Sequence, residues 1–219
     1  MTLRLGILIF DDAEELDFVG PWEVFTMANE VADYRKEPAP FAPMMIAQTM
    51  EPVRCRKGMR VLPDATTADC GKLDILLVPG GQGTRTEVKN EALLAWIAKT
   101  AADCRWITSV CTGALLLTAA GPAKGKRVTT HWGFVQSLRE RNEAKEVLEN
   151  IRYVRDGNVV TAAGVSAGID MALWLTGQIV SPEFAGMSSA PWNTTPRRPT
   201  APRSDAFIPP HQICLYRPQ

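Results

Sequence analysis

Short apolar segments that end at polar residues or at glycine recur along residues 3–180. Three of them are typical of strands that a parallel sheet buries on both faces: Leu3–Phe10, Leu73–Val78 and Arg105–Val110. Weaker strand patterns lie at Met44–Ala47, Arg127–Thr130, Ile151–Arg155 and Val159–Ala163. A hairpin turn is predicted between the last two, at Asp156-Gly157-Asn158. Val53–Val61 alternates charged and apolar residues, which predicts an edge strand or a hairpin arm.

Helical patterns separate these strands. They cover Leu16–Ala32, Asn90–Ala102, Thr112–Ala120, Phe134–Arg141 and Ser166–Ile179. Because strands and helices alternate, the sequence predicts the α/β class, with a mostly parallel sheet between two layers of helices. Ligands of such folds bind beyond the carboxyl ends of the strands. The residues that follow Phe10, Val78 and Val110 are therefore the first candidates for a functional site.

The composition indicates one globular domain with a tail. We expect the α/β domain to span residues 1–187 and an irregular tail, rich in proline and arginine, to span residues 188–219. The formal net charge is +0, so nothing favours nucleic acid or an anionic membrane as a partner. No apolar run is long enough to cross a membrane, and the apolar N-terminal stretch is too short for a signal peptide. We therefore expect a cytoplasmic protein.

The chain has 5 cysteines and 2 histidines. The cysteine count is odd and no CxxC pair occurs, which argues against a disulfide framework and against a structural zinc site. Two histidines are too few for a histidine-rich metal site, so we expect no bound metal.

Cys111 is the most informative residue, because it stands where a predicted strand meets a predicted helix. A sharp turn there would expose the side chain at the sheet edge, as in a nucleophile elbow. We expect the positive end of the helix that begins at Thr112 to lower the pKa of the thiol and to favour the thiolate. Gly113 and Ala114 leave room for a substrate. The alternative is a buried structural cysteine.

Other candidates follow the neighbouring strands. Backbone N–H groups at Gly80 and Gly81 are candidate oxyanion-hole donors, although this segment taken alone is better explained as a plain glycine-rich turn. Of the carboxylates that begin the first helix, Glu14, Glu15 and Asp17, one is expected to shuttle a proton with the sulfur. Asp17 as a helix N-cap is the alternative. His131 is either a base or orienting group or a structural histidine.

Several segments together resemble the ThiJ/PfpI superfamily. They are Gly6–Phe10, Leu16–Val24, Leu77–Gly81, Ser109–Ala114, Thr129–Trp132 and Gly164–Asp170, in family order over about residues 3–180. Within the superfamily, the Leu-Asp-x-x-Gly-Pro and Val-Cys-Thr-Gly patterns are similar to the isonitrile-hydrating branch. The resemblance implies a homodimeric flavodoxin-like fold and a cofactor-independent hydro-lyase that acts on a small molecule.

In that branch the cysteine attacks the terminal carbon of an isonitrile, and water releases an N-substituted formamide from the thioimidate. The resemblance implies that Cys111 is the nucleophile and Asp17 its acid/base partner. It also implies that the N–H groups of Thr112 and Gly81 hold the substrate, near the Thr112 hydroxyl. Two alternatives stay open: a ligand- or redox-sensing domain related to AraC-type regulators, and another superfamily enzyme that acts on reactive carbonyls.

The tail departs from the branch, whose members continue past the last helix with Glu-Tyr-x-Pro-x-Pro-Pro. Plausible GC-rich codons for residues 187–200, read in another frame, give Glu-Leu-Gly-Ala-Leu-Glu-Tyr-Asp-Pro-Ala-Pro-Pro-Tyr. We hypothesise that a frameshift, in the gene or in its recorded sequence, produces this tail.

Resequencing the coding DNA checks the frameshift hypothesis. We expect codons whose shifted frame restores Glu-Tyr-x-Pro-x-Pro-Pro near residue 192. Codons that give no such segment in either alternative frame would refute the hypothesis.

Overall fold

The computed structural model describes residues 1–189. The predicted tail therefore lies outside the described residues, apart from Ser188 and Ser189, which end the last helix. Within residues 1–189 no helix is both long and apolar enough to cross a membrane.

Strands and helices alternate along the described chain. The strands are β1 (Leu3–Leu8), β2 (Phe41–Ala47), β3 (Val53–Arg54), β4 (Arg60–Val61), β5 (Ala65–Thr66), β6 (Ile75–Val78), β7 (Trp106–Val110), β8 (Arg127–Thr129), β9 (Glu146–Leu148), β10 (Tyr153–Asp156) and β11 (Val159–Ala162). The helices are α1 (Glu15–Tyr34), α2 (Thr84–Glu87), α3 (Glu91–Asp103), α4 (Gly113–Ala120), α5 (Val135–Glu140), α6 (Ser166–Ile179) and α7 (Pro182–Ser189). A 3₁₀ turn at Trp132–Phe134 precedes α5.

The main sheet has the strand order β10-β11-β7-β6-β1-β2-β5. Every neighbouring pair is parallel except β10 with β11, which form the hairpin that the sequence predicts. Helices α1, α6 and α7 pack together, and α3 packs with α4. The predicted α/β fold is therefore confirmed, and its order β2-β1-β6-β7-β11 is that of flavodoxin-like sheets.

Burial explains why the central strands form. All residues of β6 and β7 are buried, because helices cover both faces of a parallel sheet. The chain order reverses direction between β1 and β6, so the loops after these two strands diverge and open a crevice at their carboxyl ends. The loop after β7 reaches the same edge of the sheet.

Some local predictions differ from the structure. Strand β1 ends at Leu8, two residues before the predicted end, and the Val53–Val61 segment forms both arms of a small separate hairpin, β3–β4. The short strands β5 and β9 and helices α2 and α7 have no clear sequence pattern. Helix α7 continues through Ser189, past the proposed domain boundary at residue 187.

Close packing between β6 and α4 requires glycine at residue 113. A Cβ atom there would lie 2.2 Å from the Val78 carbonyl oxygen and 2.8 Å from that of Pro79. Both obstacles are backbone atoms of the neighbouring strand end, so the clash cannot be relieved by a side-chain rotation. Gly113 therefore sets how closely the first turn of α4, and the cysteine before it, approaches β6.

We expect Gly113→Ala to lower the free energy of unfolding by about 1–3 kcal/mol, because the backbone must shift to accept the methyl group. Urea denaturation measures the change. Gly186→Ala in α7 is the matched control, since a Cβ atom there meets nothing within 4 Å. The control should gain about 0.5–1 kcal/mol from helix propensity; equal effects of the two substitutions would contradict the packing argument.

Candidate functional site

Cys111 occupies the sharp turn between β7 and α4. Its φ is +55°, in the left-handed region that non-glycine residues rarely adopt. Two hydrogen bonds hold this conformation: the Cys111 N–H donates to the Ala162 carbonyl (3.0 Å), and the Thr130 hydroxyl donates to the Cys111 carbonyl (2.9 Å). A strained, well-anchored residue of this kind is typical of functional sites. The predicted sharp turn between strand and helix is therefore present, but the side chain is buried rather than exposed.

Two glycines let backbone approach the Cys111 side chain. A Cβ atom on Gly80 would lie 2.7 Å from the Cys111 Cβ and 2.5 Å from the Thr112 nitrogen. A Cβ atom on Gly164, whose φ is +135°, would lie 3.3 Å from the Cys111 Sγ. The thiol is thus enclosed by the loops after β6 and β11, and it is buried.

Asp17 is fully buried in the first turn of α1, although the sequence offers helix capping as its alternative role. Its Oδ2 accepts the Gly80 N–H (3.1 Å) and its Oδ1 accepts the Val165 N–H (2.9 Å). The carboxyl also lies close enough to the Cys111 thiol for each group to shift the pKa of the other. The N-cap of α1 is Glu14, so Asp17 does not cap its own helix. Its side chain instead joins three loops around the thiol.

Burial raises the pKa of Asp17 to about 6, while the N–H groups of Val165 and Gly80 act in the opposite direction. Burial, followed by the charge of Asp17, raises the pKa of the Cys111 thiol well above its ordinary value. The Thr112 N–H lowers it only in part. The expectation that the helix end lowers the thiol pKa is therefore wrong: desolvation and the neighbouring carboxylate outweigh it. Near neutral pH the pair holds one proton, as a thiol beside a carboxylate.

Thr112 and Gly81 are bound to each other. The Gly81 N–H donates to the Thr112 Oγ1 (3.0 Å), and the Thr84 hydroxyl donates to the same oxygen (3.1 Å). The Thr112 N–H is the amide that faces the sulfur. The Gly81 amide, which we expected to be a substrate donor, is therefore already taken by a protein acceptor.

His131 lies beside the site without joining the Asp17–Cys111 pair. It follows Thr130, and its Nδ1 accepts the Gly133 N–H (3.3 Å). Burial and the charge of Arg85 lower the pKa of the imidazole, so the ring is neutral at pH 7. Within residues 1–189 it makes no hydrogen bond to either member of the pair.

Three neighbours of the thiol were missed as site residues. Thr130 anchors the Cys111 carbonyl, Gly164 opens the space beside the sulfur, and Val165 donates to Asp17. Val165 is itself strained, with φ +48° and ψ −112°. All three residues lie in segments that resemble the ThiJ/PfpI superfamily, so the sequence could have pointed to them. Only the fold shows that these segments meet Cys111 and Asp17.

No metal centre is evident in the part of the chain that the structure describes. No group of three or more His, Cys, Asp or Glu side chains there is arranged to hold a metal ion. The other cysteines among residues 1–189, Cys55, Cys70 and Cys104, are buried free thiols.

The fold and the site together define a class: an α/β protein with a buried cysteine at a strained strand-to-helix turn, beside a buried carboxyl. The chain belongs to the DJ-1/PfpI family, whose pattern it matches over residues 4–178.

Relatives agree with this assignment. Over 185 residues the chain is 37% identical to an isonitrile hydratase of Pseudomonas putida, covering 84% of this chain and 75% of that protein. A crystal structure of a ThiJ/PfpI family protein from Pseudomonas syringae superposes with a TM-score of 0.79 at 29% identity, over 96% of this chain and 83% of that one. An HTH-type transcriptional regulator of Pseudomonas aeruginosa is 31% identical over 61% of this chain, but that match spans only 39% of the regulator.

We expect Asp17→Asn to shift the pH dependence of Cys111 alkylation by iodoacetamide to lower pH. The substitution removes the negative charge that stabilises the protonated thiol, while the amide oxygen of Asn can still accept a hydrogen bond. Peptide mass spectrometry after timed alkylation at a series of pH values measures the midpoint. Glu14→Gln is the control and should give a smaller shift in the same direction, because Glu14 contributes least to raising the thiol pKa. A midpoint that rises in Asp17→Asn would contradict the paired-proton description.

Proposed function

We propose that this chain is a cysteine-dependent isonitrile hydratase, which adds water to an isonitrile and releases an N-substituted formamide. The observation that carries the proposal is the Cys111 thiol held against the buried Asp17 carboxyl. The substrate class comes from similarity, since the isonitrile hydratase of Pseudomonas putida is 37% identical over most of this chain.

The first step forms the carbon–sulfur bond. The thiol proton passes to the Asp17 carboxylate as the sulfur attacks the terminal carbon of the isonitrile, and Asp17 then gives the proton to that carbon. The product is a thioimidate on Cys111, in which the former terminal carbon carries one hydrogen and a C=N bond. A pKa of about 6 suits Asp17 for both transfers, because it loses and gains a proton near neutral pH.

The second step hydrolyses the thioimidate. Water adds to the imidate carbon and the carbon–sulfur bond breaks; of the two protons of the water, one goes to nitrogen and the other to the departing sulfur. The net reaction consumes one isonitrile and one water and regenerates the thiol beside the carboxylate. The Thr112 N–H, which faces the sulfur, stabilises the negative charge that develops there in both steps.

Two features of the structure support an enzyme of this kind. Cys111 is held in a strained turn rather than in relaxed helix or strand, and Asp17 is buried at an unfavourable pKa. The homodimer and the cytoplasmic location that the sequence predicts are part of the same proposal.

The second candidate is a sensor domain. Its specific support is the 31% identity to the HTH-type regulator, which the chain matches over 39% of that protein's length. A reactive-carbonyl enzyme is the third candidate. Parallel assays with an alkyl isonitrile and with methylglyoxal, and a gel shift with DNA at low salt, distinguish the three.

We expect the purified protein to convert a simple alkyl isonitrile to the formamide, with the rate rising as the pH passes about 6, because the carboxylate form of Asp17 must accept the thiol proton. Cys111→Ala should reduce formamide production to the uncatalysed rate, and Asp17→Asn should lower kcat by about 10²-fold or more.

Cys104→Ala is the matched control, since Cys104 is a buried thiol whose Sγ faces the Leu73 carbonyl. It should keep the wild-type rate. Mass spectrometry quantifies the formamide and detects any covalent adduct on Cys111. Equal formamide production by wild type and Cys111→Ala would overturn the proposal.

A further inference from the structure

Arg85 is fixed at the solvent edge of the site by three contacts. Its guanidinium lies 4.5 Å above the centre of the Phe134 ring. Its Nη1 donates to the Gly81 carbonyl (2.7 Å) and to the Thr84 hydroxyl (3.3 Å). The Gly81 N–H donates a hydrogen bond to Thr112, the residue after Cys111. Through Gly81, Arg85 therefore contacts the loop that borders the thiol.

A second chain of contacts leads from Arg85 to the thiol. Phe134, on which the guanidinium stacks, donates its N–H to the His131 carbonyl (2.8 Å). His131 follows Thr130, whose hydroxyl holds the Cys111 carbonyl. Arg85 and His131 therefore stand together on one side of the site.

The positive charge of Arg85 has no acidic partner within residues 1–189, where it forms no ion pair. Its Nε and Nη2 groups donate to no protein atom in that range. Glu14, whose charge also acts on the Cys111 thiol and on His131, is paired with Lys57 rather than with Arg85. The exposed guanidinium is thus rigid, desolvated on one face by Phe134, and free to bind an anion with its outer N–H groups.

His131 adds a second donor on this side. Its Nδ1 accepts the Gly133 N–H, which assigns the single proton of the neutral ring to Nε2. The ring therefore presents an N–H group rather than a lone pair at its far nitrogen. Two neighbouring donors that have no acceptor among residues 1–189 match a carboxylate better than they match an apolar substituent.

We propose that Arg85 is a specificity-determining residue that binds a carboxylate on the substrate, so that the site selects isonitriles carrying an anionic group a few bonds from the reacting carbon. The identity of the reacting group rests on the proposed function, whereas the anion subsite rests on the geometry of Arg85. The two parts can therefore fail separately.

The kinetic test compares isocyanoacetate with its uncharged methyl ester in wild type, Arg85→Gln and Arg105→Gln. Arg105 is an exposed arginine before β7, at the opposite end of the sheet, so its substitution makes the same charge change away from the thiol. We expect Arg85→Gln to raise KM for isocyanoacetate about tenfold with little change in kcat, and to leave the ester unaffected. Arg105→Gln should match wild type for both substrates.

Equal effects of Arg85→Gln on both substrates, or a wild-type preference for the ester, would overturn the proposal.

A chemical test does not depend on isonitrile turnover. Iodoacetate and iodoacetamide alkylate the same thiol and differ in charge, so the ratio of their rates at Cys111 reports the anion subsite. Arg85→Gln should lower the iodoacetate-to-iodoacetamide ratio about tenfold at fixed pH, Arg85→Lys should keep part of it, and Arg105→Gln should not change it. An unchanged ratio in Arg85→Gln refutes the subsite. A further outcome is that wild type hydrates neither isonitrile while Arg85→Gln still lowers the iodoacetate-to-iodoacetamide ratio. In that case the proposed reaction is wrong and the anion subsite is supported.

Discussion

A buried carboxyl and a buried thiol, Asp17 and Cys111, hold one proton between them near neutral pH. Burial raises the pKa of Asp17 from 3.8 to about 6, so the folded state retains the Asp17 proton more tightly than the unfolded chain does. Folding is therefore opposed increasingly as pH rises from about 4 to about 6, by on the order of 3 kcal/mol above that range. The structure tolerates this cost because two backbone N–H groups, from Gly80 and Val165, stabilise the carboxylate.

The backbone around the Asp17–Cys111 pair is strained at two residues, and this strain helps to place the carboxyl beside the thiol. Cys111 and Val165 both adopt positive φ values, and each has a hydrogen bond that fixes it: Cys111 to Ala162 and Val165 to Asp17. Left-handed conformations of non-glycine residues cost of order 1–3 kcal/mol each and persist only where tertiary contacts hold them. Glycines at residues 80 and 164 allow the flanking loops to close on the sulfur. Helix α1, the turn before α4 and the loop hydrogen bonds to Asp17 thus together set how Cys111 and Asp17 lie relative to each other.

The charged side chains at the edge of the site are not all paired. Glu14 is balanced by Lys57, while Arg85 is held by Phe134 and by the Gly81 carbonyl and keeps its charge unpaired among the described residues. The reaction that we propose depends on the buried pair, within a fold that the chain shares with the DJ-1/PfpI family. Differences in substrate between its members are expected in such outer residues, since side chains on the entrance loops change without disturbing the proton held inside.

The sequence by itself determined the α/β class, the main strands and helices, and the position of Cys111 at a strand-to-helix junction, because periodic burial and abrupt strand ends are local features of the chain. It did not predict short elements such as β5 and α7, which form through contacts with distant segments. Only the tertiary structure decided the electrostatics: Asp17 meets Cys111 across 94 positions of sequence (111 − 17). Burial at that meeting point reverses the pKa shift expected from the helix end, because desolvation depends on what surrounds the thiol and not on the residues beside it in the chain.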